Sequence, residues 1–318
     1  MEKRLETIIT LELPYRETLN IQRCVFRGGS GPRVAVTTGI HGDELEGLYV
    51  CHRLTVWLEE LGRTRPDALL GQVELYPGLN PLGLDTLERN VPVYQNDLNR
   101  YFPGHPEGLL PQRIAAAVMD HLQGAVLVLD VHASNIYLRE IPQVRVDRRF
   151  SGALLPLAKS LNMDLIWLRS PAQVLDTSLA YNLNQRGEPC LLVEMGAGMG
   201  LTPAFTEQLL TGVLAVWQRL GVLAPDLELP EPGQHAIIAD DNIHYLNAET
   251  SGLFVPAVAN GSLMAAGQPV GHIVSPFEAA TLAEVCAPAN GLLFTLREYP
   301  LVYEGSLLGR IVATPTPK

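Results

Sequence analysis

Lysine is close to absent from this chain: it occurs only at Lys3, Lys159 and Lys318, and arginine supplies the rest of the 23 basic residues. Positive charge of either kind is in the minority, because 34 acidic residues leave a net charge of -11 at pH 7. That balance argues against nucleic acid or an anionic membrane surface as a partner, although a local arginine patch can still receive an acidic ligand. Cysteine is scarce as well. Cys24, Cys51, Cys190 and Cys286 lie far apart with no C-x-x-C pair, which excludes a closed thiolate metal knot and the density of a secreted disulfide scaffold. No apolar run approaches the length needed to cross a bilayer, and the opening MEKRLETIIT lacks the apolar core of a signal peptide. Taken together, these absences predict a soluble, cytoplasmic protein.

What is present is ordinary globular composition, 47% hydrophobic and 18% charged over 318 residues, enough for one large domain and a small one. Residues 5–36 alternate apolar and polar in short pieces punctuated by Gly28, Gly29, Gly31 and Pro32, which predicts two or three strands with a hairpin. Apolar residues from Leu45 to Leu61 recur at helical spacing and stop before Gly62. A strand over Gln72–Tyr76, a helix from Pro111 to Leu122, and apolar strands ending at Asp130 and His132 and at Glu194 follow. The polar stretch from Pro77 to Pro106 is too long for a mere connection, and long ordered loops usually carry function. Alternation of strands and helices to about residue 225 predicts a three-layer α/β/α domain with a mixed sheet.

The acidic, proline-rich LAPDLELPEPG ends that pattern, and the expected division is an α/β domain over 1–228 and an all-β domain over 229–318. Within the second part, Gly267 to Val274 (GQPVGHIV) is echoed by Gly305 to Val312 (GSLLGRIV), so a barrel-sandwich-like module with pseudo-twofold symmetry is expected. Its shape resembles biotinyl and lipoyl carriers. With no lysine before Lys318 it has no attachment point, and a lid or interface role is the expectation instead.

The chemistry gathers at strand ends. VAVTTGIHGDELEG, Val34 to Gly47, runs from strand to helix through a glycine-bracketed turn holding His41, Asp43 and Glu44. Open α/β sheets bind ligands where such strands end. His41 and Glu44, three apart, together with His132 form a candidate zinc-ligand set of two histidines and a carboxylate, and Glu194 is the candidate general base. Three protein ligands leave one position for water, whose pKa zinc lowers to about 7. Each signal is weak by itself: His-x-x-Glu arises often by chance, and a lone strand-end histidine is more often merely hydrogen-bonded. A carboxylate ending the buried run Leu191-Leu192-Val193 needs a partner or a cleft, and the combination is stronger than its parts.

His41-Gly-Asp-Glu44, Asn80-Pro81 with Arg89, Asp97-Leu-Asn-Arg100, Asp130-Val-His132 and Glu194-Met-Gly196, in that order, resemble the succinylglutamate desuccinylase/aspartoacylase family of zinc carboxypeptidase-like hydrolases. The resemblance implies one zinc ion and cleavage of an N-acyl amino acid or a similar small amide. It further implies that Arg89 stabilises the oxyanion while Asn99 and Arg100 hold a substrate carboxylate, roles that paired guanidinium donors suit. Two departures bear on substrate. Ala133 and Ser134 stand where the family has threonine or serine and then glycine. The arginine that reads aspartate in aspartoacylases has no counterpart near Tyr181 to Asn184, with Arg186 out of register and Arg145, Arg148 and Arg149 as candidate replacements, a cluster that a solvated charged turn explains about as well. A peptide-trimming carboxypeptidase and a non-catalytic metal-bearing binding protein are the alternatives, and a homo-oligomer is left open. Cys51 and His52 adjoin on a helix and point to different faces, and His105, His121, His235, His244 and His272 show no ligand spacing. None of these receives a role.

Overall fold

The structure is a computed structural model that describes residues 1–15 and 17–313. An antiparallel hairpin of β1 (Glu2–Glu12) and β2 (Thr18–Arg27) leads into β3 (Arg33–Thr38), α1 (Glu46–Thr64) and β4 (Gln72–Tyr76). The segment that follows carries the short α2 (Pro81–Thr86) and a 3-10 turn at Leu98–Arg100 before α3 (Leu110–Leu122) and β5 (Leu127–His132). Next come β6 (Leu138–Asp147), α4 (Ser151–Ala158), β7 (Leu165–Arg169), α5 (Leu179–Gln185), β8 (Cys190–Gly196) and α6 (Pro203–Arg219).

The centre of the sheet, β4, β3, β5 and β8, is parallel, with β2 and β6 antiparallel beside it. Strand residues alternate between faces, and the core splits accordingly. Val34, Val36, Leu127, Leu129, Leu191 and Val193 pack with Leu54 and Leu58 of α1 and Val213 and Trp217 of α6. Ala35, Val128 and Cys190 face the other way, onto Ile114 and Val118 of α3 and Leu179 and Leu183 of α5. A sheet buried on both faces by helices is the three-layer α/β/α arrangement that the alternation predicts, and the mixed strand directions agree with it.

After α6, among the described residues, only strands and one 3-10 turn (Asp240–Asn242) follow: β9 (Ala236–Ala239), β10 (Ile243–Asn247), β11 (Gly252–Pro256), β12 (Leu263–Met264), β13 (Pro269–Val274), β14 (Thr281–Cys286), β15 (Gly291–Arg297), β16 (Leu301–Val302) and β17 (Leu307–Ala313). The two copies of the sequence repeat are β13 and β17, one in each of two antiparallel sheets that enclose Phe254, Val270, Ile273, Leu293, Leu308 and Ile311. The second sheet has the order β14-β13-β11-β16. The first is not separate from the α/β part. β15 pairs with the start of β6, Thr295 opposite Glu140, while β7 pairs with the end of β6 and β9 adds beside β7. Hydrogen-bonded sheet therefore runs from the α/β layers into the C-terminal strands.

Candidate active site

Period-two alternation places the chemistry. Val131 and Val193 point into the core under α1 and α6, so their neighbours Asp130, His132, Leu192 and Glu194 share the opposite face, and Arg145 and Asp147 join them from β6. Register puts His132 beside Glu194 on adjacent strands. His41 comes from the turn after β3, whose path needs two glycines. Gly39 holds φ +66°, and a Cβ on Gly42 would sit 2.0 Å from the carbonyl carbon of Gly83. That close approach lays the His41 turn against residues 78–89, with Gly42 N–H donating to Arg89 O at 3.4 Å.

His41 Nδ1 lies 2.7 Å from Glu44 Oε1, His132 Nδ1 lies 2.9 Å from Glu44 Oε2, and the two Nδ1 atoms are 3.2 Å apart. One ligand atom from each residue falls within 4.8 Å of the others, and all three residues are buried. Each Nδ1 faces its own oxygen of Glu44, so the one carboxylate can accept from both rings, or the two nitrogens can turn lone pairs to a shared cation. Zinc with nitrogen ligands at ~2.0–2.1 Å in a tetrahedron sets them roughly 3.3 Å apart, and the spacing fits. Electrostatics agrees. Burial opposes a charge on His41, yet Glu44 and Asp97 outweigh it and hold its pKa above the ordinary range, and burial of His132 is likewise outweighed by Asp130 and Glu44. Burial would raise the Glu44 carboxyl, and the two imidazoles reverse this and hold it well below the usual carboxylate range. The ring of carboxylates calls for positive charge at this point, from protons on the rings or from a cation among them.

Each ring has a carboxylate behind it. Asp97 Oδ1 accepts from His41 Nε2 at 2.9 Å, whereas Asp130 Oδ2 lies 3.1 Å from His132 Nε2 as an ion pair without hydrogen-bond alignment. Carboxylates on the far nitrogen fix ring orientation and strengthen the near nitrogen as a ligand. Ala133 N–H donates to Glu44 Oε2 at 3.1 Å, which anchors the third group. Glu194 has only 12% of its side chain exposed, and Arg145 Nη1 donates to its Oε1 at 2.8 Å. Burial dominates and raises the Glu194 pKa despite Arg145. A carboxylate raised toward neutrality is suited to moving a proton at working pH. His41, Asp130, His132, Arg145 and Glu194 border a cavity of about 360 Å³ that Arg89, Asn99, Arg100, Arg169 and Tyr181 also line, a size suited to a small ligand.

A family model for the succinylglutamate desuccinylase/aspartoacylase catalytic domain matches residues 30–220, well over half of the chain. The chain belongs to this family. Among curated relatives, the N-alpha-acetyl-L-2,4-diaminobutyric acid deacetylase of Halomonas elongata is 27% identical over 264 residues, 78% of this chain and 72% of that one. The product-bound ectoine utilization protein EutE of Ruegeria pomeroyi superposes with a TM-score of 0.82 at 21% identity, covering 98% of this chain and 95% of its own. A succinylglutamate desuccinylase/aspartoacylase from Rhodobacter sphaeroides gives 0.81 at 22%, covering 99% and 96%. The two structural likenesses are likenesses of fold. Family membership makes the chain a deacylase-type hydrolase of amide bonds.

Within this desuccinylase/aspartoacylase scaffold the loop residues sort by what they touch. Asn80 caps α2 by accepting from Gly83 N–H at 3.0 Å and donates to Asn90 O at 3.2 Å, so it shapes the loop that presents Arg89. Arg89 is half-buried and donates to Glu44 Oε1 at 2.9 Å and Asp97 Oδ2 at 3.5 Å. Asn99 is buried, and its Oδ1 accepts from Leu179 N–H at 2.8 Å, which leaves its NH₂ as the end able to donate to a ligand. Arg100 is exposed at the cavity edge, its Nη1 on Asn99 O at 3.0 Å.

Several expectations need correction. Among the described residues no lining side chain of the cavity comes from 229–318, so the C-terminal strands supply none of its wall. They extend the sheet at its flank. Arg148 and Arg149 are not in this cavity: Arg149 is spent on Asp147 and Asp176, and Arg148 lies 3.8 Å from Asp241. Arg145 does line it. Sequence reasoning quoted Asp97 and Asp130 inside motifs without giving them work, and it passed over Glu140, Arg169 and Arg310. A strand-end aspartate two residues before a candidate ligand was the available signal for Asp130. Glu140 and Arg310 meet only through strand pairing across more than half the chain and had none.

Proposed function

We propose that this protein is a zinc-dependent amidohydrolase that removes the acyl group from an N-acyl amino acid, or from a related small carboxylate-bearing amide. The observation that carries the reading is the convergence of His41, Glu44 and His132 within 4.8 Å beside Glu194 at one small cavity. His41, Glu44 and His132 would hold a single zinc ion, which when bound supplies a Lewis acid able to bring the pKa of water to about 7. Glu194 takes a proton from the attacking water and returns it to the nitrogen of the departing amine, the two roles a single raised-pKa carboxylate can serve in turn. Arg89 donates to the oxyanion that develops on the scissile carbonyl. In the present geometry Arg89 is engaged with Glu44, so its donors become available when other positive charge takes over that carboxylate. Asn99 NH₂ and the Arg100 guanidinium hold the substrate carboxylate and set its distance from Glu194.

The domain division belongs to the same reading: residues 1–228 supply the site and 229–318 form a β-module. A cavity of about 360 Å³ is of a size that suits a small substrate. Purified protein incubated with a panel of N-acyl amino acids and short peptides, with and without a chelator, tests the assignment. Chelator-sensitive release of free amino acid from the N-acyl compounds is the expected result, and its absence across the panel would leave a binding protein.

A further inference from the structure

Although the C-terminal strands line none of the cavity, one of their side chains is connected to Glu194 through two others. Arg310 on β17 donates through Nη1 to Glu140 Oε1 at 2.8 Å, the other oxygen of Glu140 takes Arg145 Nη2, and Arg145 Nη1 reaches Glu194 Oε1 at 2.8 Å. Glu140 is 1% exposed, and Thr295 on β15 and Gln143 complete its bonding at 3.4 Å and 2.8 Å. The strand register that sets Thr295 opposite Glu140 is the junction of the two parts of the fold. Arg145 and Arg310 lie over the same ring, Trp167, at 5.4 Å and 5.7 Å from its centre, with Arg169 over it at 5.2 Å.

The charge arithmetic gives this chain a purpose. A buried carboxylate must be compensated. With Arg310 on one oxygen of Glu140, Arg145 can divide its fork between Glu140 and Glu194. Without Arg310, the whole of the Glu140 charge falls on Arg145, and its guanidinium is drawn away from Glu194.

We propose that Arg310 is a positioning residue for the reaction: through Glu140 it holds Arg145, and Arg145 holds Glu194 in its working orientation. The proposal rests on the role given to Glu194 above. Since Arg310 does not border the cavity, its loss should act on turnover rather than on substrate binding. Arg310→Met is expected to lower kcat roughly 10- to 100-fold, the range typical for removing an outer partner of a site group. KM should stay within about threefold of wild type, with zinc content unchanged. Arg310→Lys, which keeps the charge, should recover most of kcat. The decisive variant is Arg310→Met with Glu140→Gln: once Glu140 is neutral it no longer competes for Arg145, so the double variant should turn over faster than Arg310→Met alone. If Arg310→Met does not fold, Arg310→Gln, which keeps a donor and drops the charge, should show the same loss and the same rescue.

A wild-type kcat in the single variant, or a double variant no faster than it, would overturn the proposal. A crystal structure of the single variant decides independently of turnover: Arg145 withdrawn from Glu194 supports the proposal, and Arg145 unmoved overturns it. If the wild-type protein cleaves no N-acyl amino acid, the functional reading fails, while the crystal structure still judges what Arg310 does to Arg145.

Discussion

Arg145→Met removes the cation shared by Glu140 and Glu194 while filling most of the same volume. Arg145 has 15% of its side chain exposed, Glu140 1% and Glu194 12%, so this is a nearly dry ion network. Taking one partner from a buried pair costs about 3–5 kcal/mol because the remaining charge is left uncompensated. With an m-value of roughly 3 kcal/mol/M in urea, the unfolding midpoint at pH 7 should fall by about 1–1.7 M. The pH dependence follows from the carboxylates left behind. Burial already raises the Glu194 pKa against the pull of Arg145, and without Arg145 it would be raised further. A carboxyl group with a folded pKa above its unfolded value of about 4.3 gains protons on folding. Stability of the variant therefore recovers as pH falls from 7 toward 5, and the deficit against wild type narrows. Urea titrations of both proteins at the two pH values measure this directly. A deficit below about 1 kcal/mol at pH 7, or one that does not narrow at pH 5, would refute the claim that Arg145 compensates two buried carboxylates.

Asp97→Asn leaves His41 Nε2 without its carboxylate and should weaken zinc binding roughly 10- to 100-fold, read by competition with a chromogenic chelator. In metal-stripped protein the raised histidines contribute stability that is fully present below about pH 6.5 and lost as pH rises through their folded pKa values. Its melting temperature should therefore fall as pH climbs from about 6.5, and added zinc should restore more of it at high pH than at low. Gly42→Ala puts a Cβ 2.0 Å from the Gly83 carbonyl carbon and should destabilise by about 1–3 kcal/mol, with Arg89 displaced and kcat reduced alongside the melting temperature.

The strand ends were legible because their signals are local. A buried strand reads as an apolar run, and a histidine or glutamate closing such a run at Thr38 to His41, His132 and Glu194 is visible without any tertiary knowledge. Helix positions followed from apolar spacing in α1 and α3, although α1 runs through Gly62 to Thr64, three residues past the expected end. What remained hidden depends on pairing between distant strands. Nothing near Glu140 announces that β15 will lie beside it, or that Arg310 will share its charge. The lid-or-interface expectation for the C-terminal strands had no local signal to sharpen it either: the repeat pointed to paired strand units, but the attachment of β15 to β6 is a matter of long-range register. Ala133 contributes its backbone N–H to Glu44, a contact that any side chain at this position leaves in place.

The central claim is that His41, Glu44 and His132 bind one zinc ion and that Glu194 moves the proton. Zinc content by mass spectrometry, measured alongside hydrolysis of an N-acyl amino acid for wild type, His132→Ala and Glu194→Gln, tests both halves together. The account predicts one zinc per chain and chelator-sensitive hydrolysis in wild type, loss of both in His132→Ala, and in Glu194→Gln retained zinc with turnover reduced by roughly 10²- to 10⁴-fold. A Glu194→Gln protein that keeps its zinc and its full rate, or a His132→Ala protein that keeps both, would contradict it.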